Sequence, residues 1–91
     1  MNDDLREYFR IQLLRIFKSA HLMGFRLEAV CQHIRVNPEF RAVTEEEVRA
    51  ELELLLSNGW IEAAPIALKP GAFLYRLTRL GAEFCLEQGI Q

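Results

Sequence analysis

The chain has little of what cross-links, disorders or anchors a protein. Its two cysteines, Cys31 and Cys85, stand far apart in 91 residues, so no disulfide framework is written into it and reduced thiols are expected. Three prolines and five glycines are too few for a disordered or fibrous chain. No apolar run approaches the roughly 20 residues that span a bilayer, and no signal-peptide pattern precedes the first amphipathic stretch. The expectation is a cytoplasmic protein with no membrane partner. Positive charge is not in excess either: 11 basic against 13 acidic side chains leave a net charge of −2, so nothing global draws the chain to nucleic acid.

Chemical signatures are equally sparse. Cys31 and His33 lie two apart on a helix-forming stretch, which points them to different sides, and His21 and Cys85 are distant in sequence. None of these has the spacing of a zinc site. There is no Gly-rich phosphate loop, serine elbow or catalytic Cys-His pattern, and carboxylates clustered on one helix lack the desolvated pocket that acid-base work requires. The sequence is read as a non-enzyme with no cofactor and no metal, its cysteines serving as small core residues.

What is present is a well-formed amphipathic pattern, clearest from Thr44 to Ile61. Thr44 can cap a helix and Glu47, at the third helical position, can reach back to complete a capping box, while Glu45 and Glu46 suit the positive helix start. Val48, Leu52, Leu55 and Leu56 recur at helical spacing as one apolar stripe. Asn58-Gly59 supplies a left-handed stop, and Trp60-Ile61 begins an extended segment.

Around this helix the chain divides into short pieces. Asp3 and Asp4 open a first helix to about Ala20, with Leu5, Phe9, Leu13, Ile16, Phe17 and Ala20 expected on the core side. Tyr8, Ile11 and Leu14 lie off that stripe and call for a further cover, from other helices of the chain or from a second subunit. Gly24 turns the chain into a short extended Phe25-Arg26-Leu27, and Glu28 to Arg35 forms a helix facing inward through Val30, Cys31 and Ile34. Asn37-Pro38 ends it, and Phe40 or Val43 plugs the connection onto the core. Trp60–Ala64 and Ala72–Leu77 read as a hairpin with a Lys69-Pro70-Gly71 turn. Thr78 caps a last helix to about Gln88, with Leu80, Phe84 and Leu86 as its apolar residues and Gly89 as its stop. The fold class is α+β, mainly α: a three-helix core, a β-hairpin and a C-terminal helix in one domain, residues 1–91. With 51% hydrophobic and 26% charged residues, a chain this size buries roughly 60 to 65% of its unfolded surface, enough for a modest core.

The run Val43-Thr44, then Val48-Arg49-Ala50-Glu51-Leu52, Leu55, Gly59-Trp60-Ile61 and Tyr75-Arg76-Leu77-Thr78 with Gly81, resembles winged helix-turn-helix transcription regulators. More narrowly, Gly24-Phe25-Arg26-Leu27 and the short length resemble small winged-helix proteins of Mu-like prophages labelled metalloregulator-like. The resemblance covers Leu13 to Gly89 and rests on caps, core leucines and turn glycines. It implies that the third helix is a recognition helix, that the hairpin is a wing, and that the function is DNA binding in transcription regulation. It carries over no metal ligand, since the cysteine-pair motif of the metal sensors is missing.

The residues of the third helix argue against a major-groove reader. The stripe turns Glu46, Glu47, Ala50, Glu53, Leu54 and Ser57 outward. Base edges are read chiefly by Arg, Lys, Asn and Gln, and this face has none. Thr44 to Asn58 carries five glutamates against Arg49 alone, a segment charge of −4, which repels phosphate. Candidate contacts to double-stranded DNA are therefore Thr44 and Arg49 at the helix start, with Lys69, Arg76 and Arg79 of the wing and the following helix. The alternative is a protein-interaction or assembly module without DNA binding, using the acidic face of the third helix, Glu46, Glu47, Ala50, Glu53 and Leu54, and the apolar flank of the first helix. A homodimer through Tyr8, Ile11, Phe84 and Ile90 is also expected, because two-fold operators need two-fold readers.

Overall fold

In the computed structural model, which describes residues 1–20 and 23–91, every helix except the one that begins at Leu27 starts at a side-chain cap that the local sequence supplies. Helix α1, Asp3–Ser19, begins at Asn2, whose side chain accepts a hydrogen bond from the Leu5 amide. Strand β1, Phe25–Arg26, leads directly into helix α2, Leu27–Arg35, so Leu27 is the first helical residue and not part of the extended segment. Asn37 caps a single 3-10 turn, Pro38–Phe40. Helix α3, Glu45–Ser57, carries the expected capping box, with the Glu47 amide donating to Thr44 Oγ1 and the Thr44 amide donating to Glu47 Oε1. Strands β2, Ile61–Pro65, and β3, Phe73–Leu77, form the hairpin, and helix α4, Arg79–Glu87, starts at Thr78, whose hydroxyl accepts from the Gly81 amide.

Among the described residues the sheet has three antiparallel strands in the order β1-β3-β2. The hairpin pairs Ile61 with Leu77 and Pro65 with Phe73, while Phe25 pairs with Tyr75. Gly24 makes the turn into β1 with a φ of +75°, and a Cβ there would stand 2.8 Å from the Tyr75 carbonyl oxygen. Only glycine satisfies both the backbone angle and the close approach.

The core gathers Phe9, Leu13, Phe17, Val30, Ile34, Val48, Leu52 and Leu55, with Leu77 and Ile61 from the sheet. Phe40 and Val43 are both buried, so the connection before α3 is pinned twice. Leu56 and Trp60 pack at the margin. Leu14, placed off the α1 stripe, is fully buried, because α1 is covered on more than one side by its own chain. Leu80 and Leu86 are exposed; α4 faces inward through Gly81 and Cys85 instead. Ile90 is buried as well: its amide donates to the Cys85 carbonyl, and its own carbonyl accepts from Lys18 Nζ.

Gly81 explains the seating of α4. A Cβ at that position would run into the Trp60 carbonyl oxygen, so the helix backbone rests on the strand entry with no room for a side chain. Phe84 stacks on Trp60 at a centroid distance of 3.9 Å and an interplanar angle of 15°.

Candidate nucleic-acid interface

Helix α3 and the hairpin stand on either side of an open groove of ≈ 620 Å³. Its floor is apolar, from Leu27, Leu52, Leu56, Ala63 and Tyr75, and its rim is charged. Arg26 comes from β1, Arg49 from α3 and Lys69 from the hairpin tip; Glu28, Glu45 and Glu53 share the same rim. Arg26 and Glu28 enter this groove because β1 pairs with β3 and so carries the start of α2 alongside the hairpin. Their place depends on a long-range strand pairing that has no local sequence signal.

The five DNA-contact candidates are not equally free. Thr44 is committed to the cap. Arg49 lies 3.9 Å from Glu45, one turn earlier, Arg79 lies 3.4 Å from Glu83, and Arg76 donates from Nε to Glu62 at 2.6 Å across the hairpin. Such exposed pairs add little stability, yet each sets a carboxylate beside the cation a phosphate would need. Lys69 is exposed, and among the described residues neither Lys69 nor Arg26 takes part in an ion pair. The tip around Lys69 is unusual: Leu68 is fully exposed and adopts a left-handed φ of 65°.

The outer face of α3 is as acidic as its sequence indicates. Glu46, Ala50 and Glu53 are exposed, and Leu54 is 37% exposed. Glu47 is not a free charge, because the Thr44 backbone and hydroxyl hydrogen bonds hold its carboxyl below the ordinary value of 4.5. Glu51 departs from the rest. It is 2% exposed, and Arg6 of α1 is its ion-pair partner at 3.7 Å. The helical period does signal this, since position 51 follows Val48 by three and precedes Leu55 by four; the residue type masks it.

The residues expected at a subunit contact are engaged within the chain. Tyr8 packs on Phe40 at 5.5 Å and its hydroxyl accepts from Asn37 Nδ2. Ile11 is partly buried against the core, Phe84 covers Trp60, and Ile90 lies inside. Cys31 and Cys85 are buried, and burial pushes both thiols up from their ordinary 9.0. His33 is exposed beside Phe25, and His21 lies outside the described residues. No group of three potential metal ligands occurs among the described residues, and no helix among them is long and apolar enough to cross a membrane.

No family model, curated protein or solved structure matches the chain.

Proposed function

We propose that the chain is a winged-helix protein that contacts double-stranded DNA through the hairpin tip and the groove beside it, in transcription regulation. The carrying observation is the convergence of Arg26, Arg49 and Lys69, from three different elements, on one groove between α3 and the hairpin. Arg49 shares the rim with Glu45, its ion-pair partner, so Arg26 and Lys69, in no ion pair among the described residues, are the cations that meet a curved phosphate backbone. The order helix, strand, helix, helix, strand, strand, helix supports the architecture, and the regulatory role rests on the family resemblance, which is an analogy of fold. The outward face of α3 does not read bases in this proposal: Glu46 and Glu53 oppose phosphate, so affinity is modest and weakly sequence-dependent.

Binding to random duplex DNA across a salt series tests this. Lys69→Ala and Arg26→Ala are each expected to weaken binding and flatten the slope of log K against log salt by about 1, as one phosphate contact is lost. Glu46→Gln with Glu53→Gln should strengthen binding; Glu47 is left intact because its carboxylate belongs to the cap. Absence of binding at low salt would defeat the proposal, and sequence-specific binding lost with the glutamine changes would show that carboxylates read bases.

A second reading, a protein-interaction module, is favoured by one observation that DNA contact does not use. On the side of α3 facing α1, both oxygens of the buried Glu51 carboxylate lack a hydrogen-bond partner.

A further inference from the structure

Glu51, whose carboxylate oxygens are sealed from solvent beneath Arg6, is one of the residues that border a small cavity. Between the start of α1 and the middle of α3 lies a space of ≈ 240 Å³ bordered by Met1, Arg6, Phe9, Glu47, Ala50 and Glu51. Burying an ionised carboxylate is costly unless donors replace its water. Arg6 does so incompletely: its Nε is 3.7 Å from Oε1, too far for a hydrogen bond, and its side chain is 53% exposed. Attraction at that distance offsets part of the cost, but the lone pairs remain unfilled.

The surface beside the cavity extends the same character. A shallow depression reaching Leu54 is bordered by Asp3, Arg6, Glu7 and Arg10. Across cavity and depression, Asp3, Glu7, Glu47 and Glu51 stand against Arg6, Arg10 and the Met1 ammonium.

We infer that this cavity is a socket for an arginine side chain of a partner protein. The guanidinium donates to both Glu51 oxygens, its methylenes lie along Phe9 and Ala50, and Leu54 meets an apolar residue of the same partner. Two orphaned oxygens on one carboxylate match the planar fork of a guanidinium, whereas an ammonium is a point charge that does not span both. The space is below the roughly 300 Å³ at which small-molecule pockets begin, and suits a single side chain. Arg6, largely in solvent and held by no hydrogen bond to Glu51, turns aside to admit the incoming group. The inference rests on the interaction-module reading and is independent of the wing groove.

The test is an NMR titration of the full chain with N-acetyl-arginine N-methylamide, and with its neutral citrulline counterpart. Arginine alone is expected to give saturable shifts at the Phe9, Ala50 and Glu51 amides. Glu51→Gln, which keeps the volume and removes the charge, should weaken binding by about tenfold or more, as loss of a charge-assisted bidentate pair does. Arg6→Ala should tighten it, because a competing like charge is gone. Lys69→Ala should leave it unchanged. Equal response to citrulline, persistence in Glu51→Gln, weakening in Arg6→Ala, or no saturable shift at these amides would each overturn the socket. Circular dichroism of every variant confirms that the fold is retained. A chain that ignores arginine and also fails to bind DNA would discard this socket while leaving the acidic α3 face as an interaction surface.

Discussion

Glu47 and Glu51 are one helical turn apart and have opposite surroundings. Glu47 sits in solvent, where Thr44 satisfies its carboxylate and lowers its pKa. A carboxyl with a depressed folded value adds stability above its unfolded value, and that stability fades as pH falls through the folded one. Thr44→Ala is therefore expected to cost about 1 kcal/mol at neutral pH and to make thermal stability less sensitive to pH below 4.5, read as Tm against pH. The thiols behave in the other sense. With raised values, Cys31 and Cys85 contribute stability present below pH 9.0 and lost as pH rises further; in the folded chain both should react slowly with a thiol reagent at pH 8, and rapid reaction without denaturant would show that their burial is misplaced. The capping box was legible in the sequence because it is complete within four residues. The burial of Glu51 was legible only in its spacing from Val48 and Leu55, which a charged residue type overrides; what covers it depends on where α1 crosses α3.

Among the elements, α3 and α4 differ in how their inner faces are made. The α3 stripe is built of large aliphatic residues, and its period alone identifies it; Leu52→Ala should cost about 2 to 5 kcal/mol in denaturant unfolding, and a loss under about 1 kcal/mol would mean the stripe is not the core. The inner face of α4 is built of a glycine and a cysteine, which hydrophobic periodicity scarcely registers, while the larger Leu80 and Leu86 face solvent. Gly81→Ala is the corresponding experiment. Its methyl meets the Trp60 carbonyl, so overpacking should cost at least about 1 to 3 kcal/mol and unstack Phe84 from Trp60. A shift in Trp60 fluorescence reports the second effect; unchanged emission with unchanged stability would show that α4 is not seated by this contact.

At the scale of the whole molecule, the wide apolar circumference of α1 was read in the sequence as a demand for cover, but periodicity could not say who provides it. Much of that cover is intramolecular: Leu14 is in the core, and Tyr8 is held by Phe40 and Asn37. Tyr8→Glu should accordingly lower Tm equally at every protein concentration. A loss of stability that grows on dilution of the wild-type chain and vanishes in the variant, with a matching change in sedimentation, would instead place Tyr8 at a subunit contact. The strand pairing carries a different kind of consequence, one of time. The hairpin joins β2 to β3 across the tip between Pro65 and Phe73, but Phe25 must wait for Tyr75, beyond two α-helices and the hairpin's first strand. Closing so long a loop is entropically later than closing the hairpin. Destabilising β1–β3, as by Gly24→Ala, should then leave the refolding rate nearly unchanged and accelerate unfolding, so the rim that brings Arg26 to the same groove as Lys69 is expected to be the last part of the molecule to assemble and the first to open.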